Sequence, residues 1–227
     1  MAIPTDKPEA TTTTGIRQTQ AEALVSRETR TPRWMTDRGL CLATGPRTLA
    51  VWRRLAAVGL PGVAELVPAD GMLLVVLEAG ACLPAGLLAS IDEAREEAGP
   101  QGREHVIPVR FDGEDLDEAA GRLGWTVDAL IARLSGLELR VKFLGFQPGF
   151  AYLEGLPAEL HLPRRSFPRK RVPAGSVALG GGYCGIYPAS GPGGWHLIGT
   201  TSFSLFDPGA IPPARLQPGD HVRLEAA

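Results

Sequence analysis

The chain has few cysteines and no excess of basic over acidic residues. Its 227 residues include only three cysteines, Cys41, Cys82 and Cys184, and none stands in a CxxC or a Cys/His zinc spacing. This pattern indicates neither a disulfide framework nor a structural metal site. The formal net charge is −2, so the chain lacks the basic excess on which nucleic-acid binding depends.

Long apolar runs are also missing. The longest, Met72–Leu77, is far shorter than the ~20 residues that span a bilayer. Residues 1–33 are polar and lack the apolar stretch of a secretory signal. We therefore expect no membrane association and a cytoplasmic location. Because residues 1–33 hold too little apolar surface to offset the entropy cost of ordering, we predict that they form a disordered arm.

Residues 34–111 alternate between strand and helix patterns. A helix is predicted over 48–58, capped by Thr48, and a second helix from Pro84 onward. Asp70-Gly71 between two apolar runs is a strong hairpin signal. The predicted strands cover 38–43, 63–68, 72–78 and 105–111. This β-α-β-β-α-β order predicts a ferredoxin-like split βαβ domain.

Residues 112–227 have a different composition. Asp115 with Glu118 is a capping-box pattern for a short helix, and Thr126 is placed to cap a second one. The acidic stretch 112–118 is expected to be a solvated helix start. Between Gly145 and Gly199, 19 of 55 residues are Gly or Pro, and regularly placed aromatic and aliphatic residues separate them, which fits short strands joined by turns. We therefore predict an α+β chain whose C-terminal domain is a β-barrel or sandwich preceded by two helices.

The second half carries a long, ordered signature. Its parts are GFQPGFAYL at 145–153, LPRR at 162–165, PR at 168–169, VPAGSV at 172–177, GIYP at 185–188, GGW at 193–195 and LFD at 205–207. This signature resembles the family of the 5-oxoprolinase B subunit, also called allophanate hydrolase subunit 1. Relatives of that family include the sporulation kinase inhibitor of bacilli and subdomains C and D of the carboxyltransferase part of urea carboxylase.

The resemblance carries expectations for fold and function. It implies an N-terminal α/β domain followed by a cyclophilin-like β-barrel domain. It also implies a subunit of an ATP-dependent amide hydrolase complex that opens 5-oxo-L-proline to L-glutamate or hydrolyses allophanate. ATP would act in the assembled complex. The partners would be a carboxyltransferase subdomain A/B protein, of the type of the 5-oxoprolinase C subunit, and a third protein of the type of its A subunit.

Three polar positions depart from the usual family pattern. The chain has Arg133-Leu134 where the family has Leu-His, and Tyr183-Cys184 where it has Gln-Thr. It has Thr200-Thr-Ser202 where the family has Arg-Thr-Pro. We expect Tyr183 to narrow the ligand pocket and so to shift its substrate preference.

Five cations stand within eight positions, from Arg164 to Arg171. Guanidinium groups bind carboxylates and phosphates in a bidentate manner, but the same pattern also suits a solvated turn. Arg165 and Arg169 are preferred because they fall inside the family motif. Together with turn residues and aromatic faces they define a predicted ligand or partner cleft, made of Gln147, Pro148, Gly149, Tyr152, Arg165, Arg169, Tyr187 and Trp195.

No self-sufficient catalytic group is evident. Ser176 lacks the Gly-x-Ser-x-Gly context, and no base is evident near Cys184. His161 and His196 are candidates by residue type alone. The absence favours a subunit that is inactive without its partner. Two alternatives are a regulatory protein that inhibits a sensor histidine kinase and, by fold analogy only, a prolyl isomerase.

Overall fold

The computed structural model describes residues 33–95 and 102–227. The predicted arm lies outside the described residues, except for Arg33. The described residues form two compact units, one of residues 33–95 and one of residues 102–227. The α-helices of the described residues are α1 (Thr48–Val58), α2 (Leu87–Glu93), α3 (Leu116–Leu123) and α4 (Val127–Ser135). The strands there are β1 (Arg33–Trp34), β2 (Gly39–Ala43), β3 (Val63–Pro68), β4 (Met72–Leu77), β5 (Glu104–Val109), β6 (Leu139–Leu144), β7 (Ala151–Glu154), β8 (Arg169–Val172), β9 (Ser176–Gly180), β10 (Tyr183–Ile186), β11 (Gly191–Gly193), β12 (His196–Thr200) and β13 (His221–Ala226).

The smaller unit holds an antiparallel sheet with the strand order β1-β2-β4-β3. The predicted β3–β4 hairpin is confirmed, and Gly71 in its turn has a φ of 68°. Helix α1 has the predicted bounds, but Thr48 is its first residue rather than its N-cap, and the Thr48 hydroxyl donates to the Gly45 carbonyl at 2.8 Å. The core of this unit consists of buried side chains from the sheet and both helices, among them Leu40, Leu55, Leu73, Val75 and Leu87.

The larger unit is built on a seven-stranded sheet with the order β12-β9-β10-β7-β6-β13-β5. Its two edges meet where Arg110 and Thr200 exchange backbone hydrogen bonds of 2.9 and 2.8 Å. The sheet is therefore a nearly closed barrel. Its interior is filled by fully buried aliphatic side chains, including Leu139, Val141, Leu153, Val177, Ile198 and Leu224. The mixed α+β class and the C-terminal barrel are confirmed.

The assignment of the 105–111 strand to the N-terminal domain was wrong. This strand is β5, which pairs in parallel with β13 over six residues and buries Ile107 and Val109 in the barrel. The place beside β2 that the split βαβ arrangement reserves for it is taken by β1. The chain accordingly divides between Glu96 and Glu97, before the predicted boundary of 111/112. Alternating apolar residues suit either sheet, so local pattern alone does not select one.

Asp115 joins helix α3 to the barrel. It stands at the N-cap position of α3, but the predicted capping box was wrong, because its carboxylate makes no capping hydrogen bond to the helix. Instead, one oxygen accepts from Arg165 at 2.6 Å and from Arg169 at 2.7 Å, and the other accepts from the Leu197 amide at 2.8 Å. The Asp115 amide in turn donates to the Leu197 carbonyl at 3.0 Å. Asp115 is 3% exposed, so the expectation of a solvated acidic stretch at 112–118 was wrong at this residue.

The second helix of this unit begins as predicted. The Thr126 hydroxyl accepts a hydrogen bond from the Ala129 amide at 3.2 Å, which satisfies one free donor at the start of α4. Leu130 and Leu134 on its inner face are fully buried. The two helices α3 and α4 thus present an apolar face to the barrel core.

A pair of glycine substitutions tests the close contact between the start of α3 and the barrel. An ideal Cβ on Gly113 would lie 2.3 Å from the Leu197 carbonyl oxygen, whereas one on Gly121 within α3 meets nothing within 4 Å. We expect Gly113→Ala to lower the free energy of unfolding by about 1–3 kcal/mol. The matched Gly121→Ala should raise it by about 0.5–1 kcal/mol because glycine is costly inside a helix. Urea denaturation of both variants measures this; equal effects would contradict the described packing.

A second test concerns Asp115. Burial alone would raise its pKa, but the hydrogen bonds from Arg169 and the Leu197 amide and the charges of both arginines hold the pKa below the ordinary 3.8. A lowered pKa stabilises the fold above pH 3.8, and this contribution is lost as the pH falls through the folded-state pKa. We expect Asp115→Asn to cost about 1–3 kcal/mol at pH 7, with a smaller difference from wild type in acid.

The measurement is the free energy of unfolding against pH for wild type and variant. Asp117→Asn is the matched control, since Asp117 is an exposed acid in the first turn of α3. A cost for Asp115→Asn that stays constant into acid would show that the Asp115 charge is not what stabilises the contact.

Candidate functional site

A cleft of about 190 Å³ opens on the larger unit. It lies where the β6–β7 turn, the loop before β8 and the β11–β12 segment come together. Its walls are lined by Phe146, Phe150, Tyr152, Arg164, Pro168, Tyr187, Pro192, Gly193, Gly194 and Trp195. The cleft suits a small ligand or one side chain better than a drug-sized molecule.

The base of the cleft is an aromatic cluster. Phe150 packs edge-to-face against Tyr187 and Trp195, with ring centroids 5.3 and 5.6 Å apart, and Tyr152 meets Trp195 in the same way at 5.6 Å. Phe150, Tyr187 and Trp195 are 2%, 2% and 6% exposed. Edge-to-face packing holds each ring against its neighbours. The base is therefore preformed and does not require a ligand to order it.

The rim is aromatic as well, but exposed. Phe146 is 55% exposed and packs edge-to-face on Phe150 and Tyr187. Its φ of 67° is a left-handed conformation that costs free energy for a bulky residue. Phe167, next to the cleft residue Pro168, is 86% exposed. Two large apolar side chains thus face solvent at or beside this opening.

Polar groups enter the cleft from its walls. Burial raises the pKa of both Tyr152 and Tyr187, while the positive charge of Arg164 partly offsets this rise. Both phenols are therefore neutral hydrogen-bonding groups at physiological pH. Gly193 leaves room for one of them, since a Cβ there would lie 2.3 Å from the Tyr187 hydroxyl oxygen.

Three of the eight predicted cleft residues line the cleft: Tyr152, Tyr187 and Trp195. Gln147, Pro148 and Gly149 form the turn between the lining residues Phe146 and Phe150. The close approach predicted for Gly149 is to the chain itself: its φ is 80°, and a Cβ would lie 3.0 Å from the Leu205 carbonyl oxygen. The side-chain amide of Gln147 packs against Gly191, and its Oε1 atom has no hydrogen-bond partner among the described residues.

Arg165 and Arg169 do not line the cleft. Their guanidinium groups bind Asp115, with additional ion pairs from Arg165 to Glu118 at 3.2 Å and from Arg169 to Glu114 at 2.9 Å. They support the cleft wall instead: the Arg165 amide donates to the Gly194 carbonyl at 2.7 Å, and Arg169 in β8 pairs with Gly193 in β11. The cation that lines the cleft is Arg164, which sequence reasoning named within the cationic run but did not select.

The departures from the family pattern lie away from the cleft lining. Leu134 and Cys184 are fully buried in the barrel core. The Thr200 hydroxyl donates a hydrogen bond to the Asp112 carboxylate at 2.9 Å. Tyr183 packs behind Tyr152, with ring centroids 5.6 Å apart, and its hydroxyl accepts from Lys142 at 3.0 Å. Tyr183 therefore supports the cleft from behind, and the expectation that it narrows the pocket directly was wrong.

The side chains considered as nucleophiles or bases are absent from the cleft lining. Burial raises the pKa of the Cys184 thiol to about 12, which leaves it protonated and unreactive. Ser176 is 2% exposed within β9. The Nε2 atoms of His161 and His196 lie 3.0 Å from the Leu156 and Pro163 carbonyls. Among the described residues, no group of His, Cys, Asp and Glu is arranged to hold a metal ion, and no helix is long and apolar enough to cross a membrane.

The amino-acid sequence of the chain is similar to those of known proteins. The 5-oxoprolinase B subunit of Escherichia coli O157:H7 is 42% identical over 190 residues, which are 79% of this chain and 87% of that protein. The 5-oxoprolinase B subunit of Bacillus subtilis (strain 168) is 36% identical over 181 residues, or 72% of this chain and 75% of that protein. The resemblance seen in the motifs is confirmed.

A solved structure extends the comparison to the fold. The crystal structure of TTHA0988 matches with a TM-score of 0.73 and 39% identity over 84% of this chain. The match covers only 40% of the TTHA0988 chain, so this chain spans less than half of that protein. The profile of the family described as "Carboxyltransferase domain, subdomain C and D" matches residues 35–216. The chain therefore belongs to the carboxyltransferase subdomain C and D family.

Proposed function

We propose that this chain is a subunit of an ATP-dependent amide hydrolase complex of the 5-oxoprolinase type, which opens 5-oxo-L-proline to L-glutamate. The support is its membership of the family together with relatives named as the B subunit of 5-oxoprolinase. In this proposal a subdomain A/B protein and a third subunit complete the enzyme, and ATP acts in the assembled complex.

One observation carries the proposal that the chain acts only in a complex. The cleft offers aromatic faces, two neutral phenols and a guanidinium, but the described residues contribute no carboxylate, histidine, cysteine, serine or lysine to its lining. Opening an amide needs a group that moves a proton or attacks the carbonyl at neutral pH. Arginine remains protonated, and the raised pKa of both tyrosines disfavours their acting as bases. The cleft is equipped to bind and orient, so the reactive groups come from a partner.

The exposed aromatic side chains mark where we propose that the partner contacts this chain. Interface cores are enriched in aromatic side chains, and Phe146 and Phe167 are 55% and 86% exposed at or beside the cleft opening. A partner protein seated there would bury both rings and close the cleft against water. In that arrangement the reactive groups of the partner would face the binding groups of this chain.

The first test is turnover. The purified chain alone should release no glutamate from 5-oxo-L-proline in the presence of ATP, because it lacks a proton-transfer group in the cleft. Co-purification with the A/B-type protein and the third subunit should give ATP-dependent glutamate release. Mixtures that omit one protein at a time are the controls. Glutamate release by the isolated chain, abolished by a substitution within it, would contradict the proposal.

The second test is assembly. Phe167→Ser removes an 86% exposed ring and should weaken binding to the A/B-type protein at least tenfold, since buried aromatic anchors often contribute about 2 kcal/mol or more to an interface. Ile211→Ser is the matched control, because Ile211 is fully exposed but, unlike Phe167, is not next to a cleft-lining residue in the chain. Calorimetric titration of the two proteins measures both. Equal affinities for the two variants would place the interface elsewhere.

A further inference from the structure

We infer that the cleft binds the carboxylate of a small, largely apolar ligand, and that Arg164 is the residue that pairs with it. The inference rests on the proposed function for one point only, the choice of 5-oxo-L-proline as the ligand. The site itself is argued from the contacts of the cationic run, the unused donors in the cleft and the shape of its base.

The other cations of the run are occupied or lie outside the cleft. Arg165 and Arg169 are paired with Asp115 at 2.6 and 2.7 Å. Arg171 donates to the Ser190 hydroxyl at 3.0 Å, and Lys170 is exposed outside the cleft lining. Arg164 lines the cleft and has no ion pair or hydrogen bond to its side chain among the described residues. A guanidinium in that state retains its full capacity for a bidentate contact with a carboxylate.

Three neutral donors in the cleft are also unused. Tyr187 is 2% exposed and Trp195 is 6% exposed, yet neither the Tyr187 hydroxyl nor the Trp195 indole N–H has a hydrogen-bond partner among the described residues. The Tyr152 hydroxyl is likewise without a partner there. None of these three atoms is among the fully buried side-chain atoms that lack a partner, so each keeps some exposure to solvent, and the three side chains line the same opening as Arg164. They are therefore free to donate to acceptor oxygens of a ligand.

The positive charge of Arg164 favours an anionic ligand, and the presence of a single cation favours a carboxylate. Within 33–95 and 102–227, no acidic side chain lines the cleft to neutralise Arg164. A single guanidinium matches the charge of a carboxylate, whereas a phosphate carries nearly twice that charge and is commonly held by several cations or a row of backbone amides. The aromatic base would contact the apolar face of a small ring, and the neutral donors would reach its carbonyl oxygen.

The test measures binding by the isolated chain, where turnover does not interfere. The probes are 5-oxo-L-proline and its neutral carboxamide, 5-oxo-L-prolinamide, followed by ligand-observed NMR, which detects millimolar affinity. We expect Arg164→Gln to weaken binding of the acid by about tenfold to a hundredfold, in line with a charge-assisted hydrogen bond. Wild type should bind the carboxamide as weakly as the variant binds the acid.

Two further variants sharpen the result. Tyr187→Phe removes only the hydroxyl and should weaken binding about two- to tenfold, as for a neutral hydrogen bond. Arg171→Gln makes the same charge change outside the cleft and should leave the affinity unchanged. Arg164 is exposed, so its variant should fold normally, and thermal unfolding of each variant checks this.

Several results would overturn the inference. They are an unchanged affinity in Arg164→Gln, equal binding of the acid and the carboxamide, no detectable binding of the acid, or tighter binding of inorganic phosphate. The outcome is separable from the proposed function. If Arg164 governs binding of the acid but the assembled complex releases no glutamate, the site stands and the proposed reaction fails. If the complex is active while Arg164→Gln binds normally, the reaction stands and this site assignment fails.

Discussion

The buried carboxylate of Asp115 is the contact on which the cleft depends. It accepts from two guanidinium groups and from the Leu197 amide, and so it joins the start of α3 to β12 and to the loop before β8. A buried carboxylate is costly unless it is paired and fully hydrogen-bonded, and here both oxygens are engaged. Because Arg165 and Arg169 are committed to this contact, Arg164 is the cation left to line the cleft.

The closure of the barrel provides the second constraint. Strand β5 pairs with β13, and the chain just beyond it joins the end of β12 through Arg110 and Thr200. The segment that leads into α3 therefore starts from the rim of the barrel and crosses β12 at Gly113, where the backbones are in close contact. This route brings Asp115 to the Leu197 amide. Closure of the barrel thus determines where the segment into α3 starts, and the contact of Asp115 with β12 then positions the cleft wall.

The composition of the cleft explains why the chain would function as a subunit. Close-packed aromatic rings and glycines build a preformed pocket, and its polar groups are a permanent cation and neutral phenols. Such groups supply orientation and charge complementarity, which are part of catalysis. They do not supply a nucleophile or a base at neutral pH. Under the proposed function a partner supplies these groups, and the exposed rings of Phe146 and Phe167 are suited to form the contact.

The sequence by itself determined the local elements and the family. Helix α1, the β3–β4 hairpin and the Thr126 cap depend on neighbouring residues, and the motifs from Gly145 onward are contiguous in the chain. Tertiary structure alone decided the sheet to which β5 belongs, because an alternating apolar strand suits any core. It also decided which arginine lines the cleft. Arg165 is held by a carboxylate fifty positions away, and side-chain direction on a proline-punctuated loop depends on such distant partners rather than on local spacing.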